Sequence, residues 1–285
     1  MSIAIVTDTN SGIMPEEAEQ LGISVLPMPF FIDEVPYLEG ISLSRADFFQ
    51  KMRSGAEIHT SMPSPADVLD LWEKLLQTHD QVLYIPMSSG LSSSCATAQS
   101  LAQEEYPGRV FVVDNKRISL TQRSSVMDAL KLREQSLDAE KIREILEKDA
   151  LSADVLVAVG TLKYLVKGGR VTPAGAAIGA ALGIKPVLKI SGSKLDAYAK
   201  VRGLKAAEQR MLDAMKQEQN VRYSGCPCTL MAAYGEEVDS ASEWAEKVKK
   251  AFPDTFLQAD PLPLSILCHL GPEGYGISCI KNLRY

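Results

Sequence analysis

Short β-branched runs alternate with longer amphipathic segments through the first half of the chain, the pattern of a parallel sheet covered by helices. Ile3-Ala4-Ile5-Val6 predicts a first buried strand, Val82 to Ile85 a second, Val110 to Val113 a third and Val155 to Val159 a fourth. Each empties into polar turn residues: Thr7 to Gly12, the serine-rich stretch Met87 to Ala96, Asp114-Asn115 and Gly160-Thr161. In open α/β sheets ligands sit outside the carboxyl ends of strands, where such loops collect. Ser44 with Asp47 and Ser64 with Asp67 read as helix starts, because a serine oxygen accepts an orphan amide and an acid favours the positive helix end. Pro65 suits the first helical position, so Thr60 to Ser64 forms an extended turn leading into a helix. Amphipathic stretches from Ser119 to Gln135 and from Asp138 to Leu151 follow.

The second half changes character. Thr172-Pro173 opens and Gly183 closes a helix on which Gly175, Gly179 and Gly183 fall four apart among alanines. Interior glycine costs up to ~1 kcal/mol relative to alanine, so such a stripe calls for close approach by a backbone or a ligand. Ile184 to Ile190 and Leu195 to Val201, joined by Ser191-Gly192-Ser193, predict a β-hairpin. A helix from Leu204 to about Glu218 comes next, then strands at Thr229–Tyr234, Thr255–Ala259, Leu264–Leu270 and Tyr275–Ile280, with a helix at Ser240–Ala251. The expected architecture is α/β with two domains. Residues 1–151 form a three-layer α/β/α unit with a mostly parallel sheet, and residues 152–285 a smaller unit with a mixed sheet.

Composition narrows the class. With 285 residues, 46% hydrophobic and 23% charged, the chain is long enough for two packed domains and is not disordered. The start MSIAIVTDTN lacks the basic and apolar regions of a secretory signal, and no run of about 18 apolar residues occurs, so a cytoplasmic protein is expected. The five cysteines are an odd set without CxxC spacing, which argues against a disulfide framework and a structural zinc site; no metal or cofactor is expected. The net charge of −6 gives no global attraction to nucleic acid. Between Thr161 and Lys205, however, nine basic residues face the single acid Asp196, an asymmetry that suits an anionic partner.

Several segments taken together resemble the DegV family. They are Ile5-Val6-Thr7-Asp8-Thr9, Thr60-Ser61-Met62-Pro63-Ser64-Pro65, Ser88-Ser89-Gly90-Leu91-Ser92, Lys167-Gly168-Gly169-Arg170 with the small-residue helix and Ile184-Lys185-Pro186, and His269 before Gly271-Pro272-Glu273-Gly274. The resemblance runs essentially the full length. It implies a long-chain fatty acid held between the two domains. It further implies that the carboxylate is presented to a separate bacterial fatty acid kinase that makes acyl phosphate for phospholipid synthesis, so the chain is a carrier and not a catalyst. Carried over residue by residue, the head-group positions are Thr60, Ser61, Ser92 and His269, with Ser93 in reserve. Gly175, Ile178 and Gly179 are expected along the acyl chain. Arg170, Lys200 and Arg202 are expected to dock the kinase, transient membrane contact is a further expected interaction, and nucleic acid is not an expected partner. The chain departs from the family pattern at Ser93-Ser94-Cys95, at Met62 in place of glutamine and at Thr172-Pro173, which bears on ligand shape.

The physical logic suits a carrier. Burying about 14 methylenes at ~0.8 kcal/mol each yields on the order of 11 kcal/mol gross, which a few hydroxyls cannot match. The hydroxyls therefore orient the acid and the apolar walls hold it. Two other readings remain. Gly90-Leu91-Ser92 is half a nucleophile elbow, and with His269 downstream suggests a serine hydrolase, although Ser94 stands where the second elbow glycine belongs and no acid identifies itself as partner. An anion-binding protein of another kind would use the basic strip. Asp8 is expected to organise the site by bonding loop amides, Trp72 and Phe48 to lie in the core, and His59 and His79 to lie near the surface.

Overall fold

The computed structural model describes residues 2–177, 183–236 and 239–283. The chain order is β1 (Ile3–Asp8), α1 (Pro15–Leu21), β2 (Ser24–Leu26), β3 (Pro29–Ile32), β4 (Val35–Leu38), α2 (Arg45–Arg53), β5 (Ile58–Thr60), α3 (Pro65–Leu76), β6 (Gln81–Ile85), α4 (Ser94–Glu105), β7 (Val110–Val112), α5 (Leu120–Glu134) and α6 (Ala139–Lys148). It continues with β8 (Ala153–Val159), α7 (Lys163–Gly168), α8 (Pro173–Ala177), β9 (Ile184–Ile190), β10 (Asp196–Arg202), α9 (Leu204–Val221), β11 (Cys228–Tyr234), α10 (Asp239–Ala251), β12 (Phe256–Pro261), α11 (Leu264–Leu270) and β13 (Gly274–Lys281).

Strands β2-β1-β6-β7 make a four-stranded sheet in which every pairing is parallel. Alternation assigns its two faces. Ile3, Ile5, Leu83, Ile85 and Phe111 pack under α5 and α6 through Val126, Ala129, Ile142 and Leu146. Ala4, Val6, Val82, Tyr84 and Val112 pack under α3 and α4 through Val68, Trp72, Cys95 and Ala98. The result is the expected three layers. Ser44 and Ser64 accept from the amides of Asp47 and Asp67, so the predicted helix starts stand where their caps put them. Each such cap contributes about 1 kcal/mol.

The second sheet has six strands in the order β10-β9-β8-β13-β11-β12, antiparallel except for the β11–β12 pair. One face is covered by α9 and α10, with Met211, Met215, Trp244 and Val248 on Leu156, Leu230 and Ile277. The opposite face joins a core shared with a small antiparallel sheet, β4-β3-β5, and with α2 and α11. Phe30, Phe48, Val157, Met231 and Leu267 all belong to that core.

Two sequence expectations are corrected here. Val155 to Val159, counted with the parallel strands by its pattern although the boundary at residue 151 put it in the mixed-sheet unit, is a strand of the mixed sheet, antiparallel to both neighbours. The fourth parallel strand is the short β2, and a run's sheet membership is set by long-range pairing that local pattern does not encode. Leu264 to Leu270 is a helix, not a strand. Seven nearly continuous apolar residues look alike in either form, and here the buried Glu39 carboxylate accepts from the amides of Leu264 and Ser265, satisfying the first turn. The small-residue helix is described only as far as Ala177, so Ile178 and Gly179 lie outside the described residues. The turn Ser191-Gly192-Ser193 lies directly on the serine loop: a methyl at Gly90 would meet the Ser193 Cα at 2.4 Å and the Gly192 carbonyl oxygen at 2.6 Å. Ser88 Oγ donates to that same carbonyl at 2.9 Å.

Candidate functional site

A cavity of about 360 Å³ lies in the shared core, between the mixed sheet and the carboxyl ends of β1 and β6. Val155, Val157, Ile190 and Met231 line it from the mixed sheet, and Met28, Met87, Leu91 and Leu120 from the opposite side. At one end polar side chains gather: Thr60 at the end of β5 and Ser61 after it, Ser92 and Ser93 before α4, Arg170 after α7 and His269 on α11. Three loops and a helix far apart in sequence thus converge, and every head-group residue expected from the sequence lines this one cavity.

The geometry of that end follows from its neighbours. Thr60 Oγ1 lies 2.9 Å from His269 Nε2. Burial, with the Arg170 guanidinium nearby as a lesser cause, holds His269 down to about 4, so the imidazole is neutral at pH 7 and offers one donor and one acceptor. The ring fits because α7 ends in glycine: a methyl at Gly168 would come within 2.2 Å of His269 Nδ1. Ser92 Oγ accepts from the Ser94 amide at 3.2 Å, which leaves its own proton free to donate. Ser93 is the residue before α4 and makes no side-chain cap bond; its Oγ lies 3.7 Å from Met62 Sδ. Met62, the residue that departs from the family pattern, therefore faces the hydroxyls of Ser93 and Thr97.

Arg170 was expected on a docking face with Lys200 and Arg202. It lines the cavity wall, half-buried, with Nε donating to the Leu91 carbonyl and Nη1 to the Gly168 carbonyl. Burial lowers its pKa, but a guanidinium starts so far above neutrality that the cation persists. Lys200 and Arg202 are exposed on the edge strand β10. Gly175, expected along an acyl chain, is buried, and a methyl there would meet Val171 Cγ2 at 2.6 Å and the Leu195 carbonyl oxygen at 3.3 Å. His59 stacks on Phe31 with ring centroids 4.8 Å apart, and His79 Nδ1 sits 3.1 Å from the Leu75 carbonyl oxygen.

Asp8 organises loops as expected. Its carboxylate accepts from the Met87 amide at 2.9 Å, from the Asn10 amide at 3.0 Å and from Gln122 Nε2 at 3.1 Å. Burial raises its pKa despite these bonds. Sequence reasoning missed Glu39, also raised by burial, which holds the first turn of the helix whose last turn carries His269. A lone acid in a loop gives no signal that its partners lie more than two hundred residues away. The elements of a serine hydrolase do not assemble: His269 Nε2 bonds Thr60 and not Ser92, and among the described residues no carboxylate bonds the imidazole.

The family model described as "Uncharacterised protein, DegV family" matches residues 2–282. The chain belongs to the DegV family. A DegV domain-containing protein of Deinococcus radiodurans is 32% identical over 279 residues, covering 98% of each chain. Among solved structures, a DegV-family protein from Thermus thermophilus described for its fatty acid binding is 29% identical, with a TM-score of 0.87 over 99% of this chain and 100% of that one. DegV from Bacillus subtilis, described as a fatty acid binding protein, is 25% identical with a TM-score of 0.86 over 99% and 100%. The α/β architecture, with its parallel sheet and its mixed sheet, is thus that of the DegV family. No described helix is long and apolar enough to cross a membrane.

Proposed function

We propose that this DegV-family protein binds a long-chain fatty acid in the cavity, between units formed by residues 1–151 and 152–285, and hands its carboxylate to a separate fatty acid kinase. The observation that carries the reading is the cavity itself, a mostly apolar volume closed at one end by hydroxyls, a neutral imidazole and a guanidinium. Ser92, Ser61 and Thr60 donate to the carboxylate, Ser93 is placed to assist, and Arg170 supplies charge beside His269. A carboxylate accepting such bonds beside a cation is stabilised without metal. The apolar walls supply the affinity, at ~0.8 kcal/mol per buried methylene before ordering costs. The fatty-acid-binding relatives from Thermus thermophilus and Bacillus subtilis support the same ligand class.

In this reading the protein is a cytoplasmic carrier and not a catalyst, since the site holds an acid head without an activated nucleophile. Lys200 and Arg202, exposed on β10, dock the kinase. Lipid extraction and mass spectrometry of gently purified protein test the first step: a stoichiometric long-chain acid is expected, and protein that is empty and takes up no palmitate on titration overturns it. Charge reversal at Arg202 tests the second. Acyl-phosphate formation by a bacterial fatty acid kinase falls while bound lipid stays constant; equal loss of both rejects the docking role.

A further inference from the structure

Four methionines line the cavity, Met28, Met62, Met87 and Met231. Three of them are buried, whereas Met62, in the turn between β5 and α3, is half-buried at the polar end. Two hydroxyls from the start of α4 meet its sulfur. Ser93 Oγ donates to Met62 Sδ at 3.7 Å, and Thr97 Oγ1 donates to it at 3.6 Å. Four residues apart, these side chains share one face of the helix. Among the described residues neither hydroxyl makes another hydrogen bond. A thioether is a weak acceptor, so both protons are poorly held. Ser92, which donates to the acid's head in the reading above, directly precedes Ser93, and the sulfur therefore stands beside the head-group end of the cavity.

Two hydroxyl protons aimed at the sulfur of a half-buried side chain make a seat for an oxygen atom bonded to that sulfur. We infer that Met62 is a site of reversible oxidation, and that its sulfoxide weakens this protein's hold on the acid. The inference rests on the fatty-acid reading above and adds a regulation of the same site. The oxidant is a hydroperoxide. A sulfur lone pair attacks one oxygen of hydrogen peroxide, the O–O bond breaks as the S–O bond forms, and the departing hydroxide takes the transferred oxygen's proton and leaves as water. Sulfur is oxidised by two electrons and the peroxide is reduced by two. The sulfoxide oxygen is a strong acceptor and takes the protons of Ser93 and Thr97 that the thioether held poorly. Ser93 is then withdrawn from the carboxylate, and an oxygen bearing partial negative charge stands at the opening of α4, where the acid's own charge is otherwise favoured. Methionine sulfoxide reductases reverse the modification.

The test exposes empty protein to hydrogen peroxide, locates added oxygen by peptide mass spectrometry and titrates the protein with palmitate before and after. Met62 is expected to gain oxygen ahead of the buried Met28, Met87 and Met231, and the affinity for palmitate to fall about fivefold, the ratio of one net hydrogen bond. Treatment with a methionine sulfoxide reductase restores it. Met62→Leu, which has no sulfur to oxidise, shows one affinity before and after peroxide. If Met62 stays unoxidised while the buried methionines react, if its oxidation leaves the affinity where it was, or if Met62→Leu loses as much as wild-type does, this inference alone fails. If untreated wild-type protein takes up no palmitate, the fatty-acid reading fails and takes the inference with it. The wild-type comparison decides the matter even where the variant folds poorly.

Discussion

The loops that follow β1 and β6 lie side by side at one edge of the parallel sheet and are equally rich in hydroxyls, yet they do opposite things. In the first, the polar groups are consumed. Thr7 Oγ1 donates to the Ile85 carbonyl, Ser11 Oγ to the Asp8 carbonyl, Thr9 Oγ1 accepts from the Met28 amide, and Asp8 ties the loop to Met87 and Gln122. Thr7 to Ser11 are all buried. In the second, Ser88 and Ser89 are likewise spent, on Gly192 and Asp114, but Ser92 keeps a free proton and Ser93 makes only a weak contact to sulfur. Richness in polar residues therefore does not mark a binding site. What distinguishes the second loop is donors left over after the fold has taken its share.

The contrast makes graded predictions. Asp8→Ala strips acceptors from three buried donors at once and should lower stability by about 4 kcal/mol in urea unfolding, far more than Asp8→Asn; a loss below about 1 kcal/mol would show that the first loop is not the structural one. Next comes pH. Burial holds His269 at about 4, against 6.5 for a free imidazole, so the unfolded chain takes up a proton that the folded chain refuses. Stability then falls as pH drops from about 6.5 to about 4, by up to about 3 kcal/mol, and this contribution is constant above that window. Comparing wild-type with His269→Gln across the range isolates the effect, and identical slopes for the two would contradict it. A bound carboxylate should raise the imidazole's titration midpoint, visible in its proton resonances.

Gly168→Ala presses a methyl on the buried His269 ring, which must shift, and should weaken palmitate binding about tenfold and lower the melting temperature despite the better helix propensity of alanine. Unchanged affinity would mean that the imidazole does not touch the acid. Smallest of all, Ser92→Ala removes one donor of several. A rise in Kd of about threefold to tenfold is expected, with stability within about 0.5 kcal/mol of wild-type.

Much of this is legible in the chain itself. Short apolar, β-branched runs located β1, β6 and β7, and the Ser44 and Ser64 caps located two helices, because these signals are local. The head-group residues were legible only through the family resemblance. Elsewhere the deciding contacts are long-range: Glu39 determines how Leu264 and Ser265 fold, and β13 determines which sheet Val155 joins. The small sheet β3-β4-β5 escaped notice because Pro29 and Pro36 break up its strands, which proline tolerates here at edges and starts. The glycines divide in the same way. A methyl at Gly175 would meet Val171, whereas one at Gly168, read in the sequence only as part of a family motif, would press on the His269 ring.

The seating of the 191–193 turn on Gly90 bears on how this lineage can vary. Backbone, unlike a side chain, has no alternative rotamer with which to step aside. Replacing Gly90 by any other residue must therefore be accompanied by a rebuilt hairpin tip, and a lengthened tip must find new ground, so drift at either place is shackled to change at the other. Two stretches a hundred positions apart are thereby obliged to evolve as a pair.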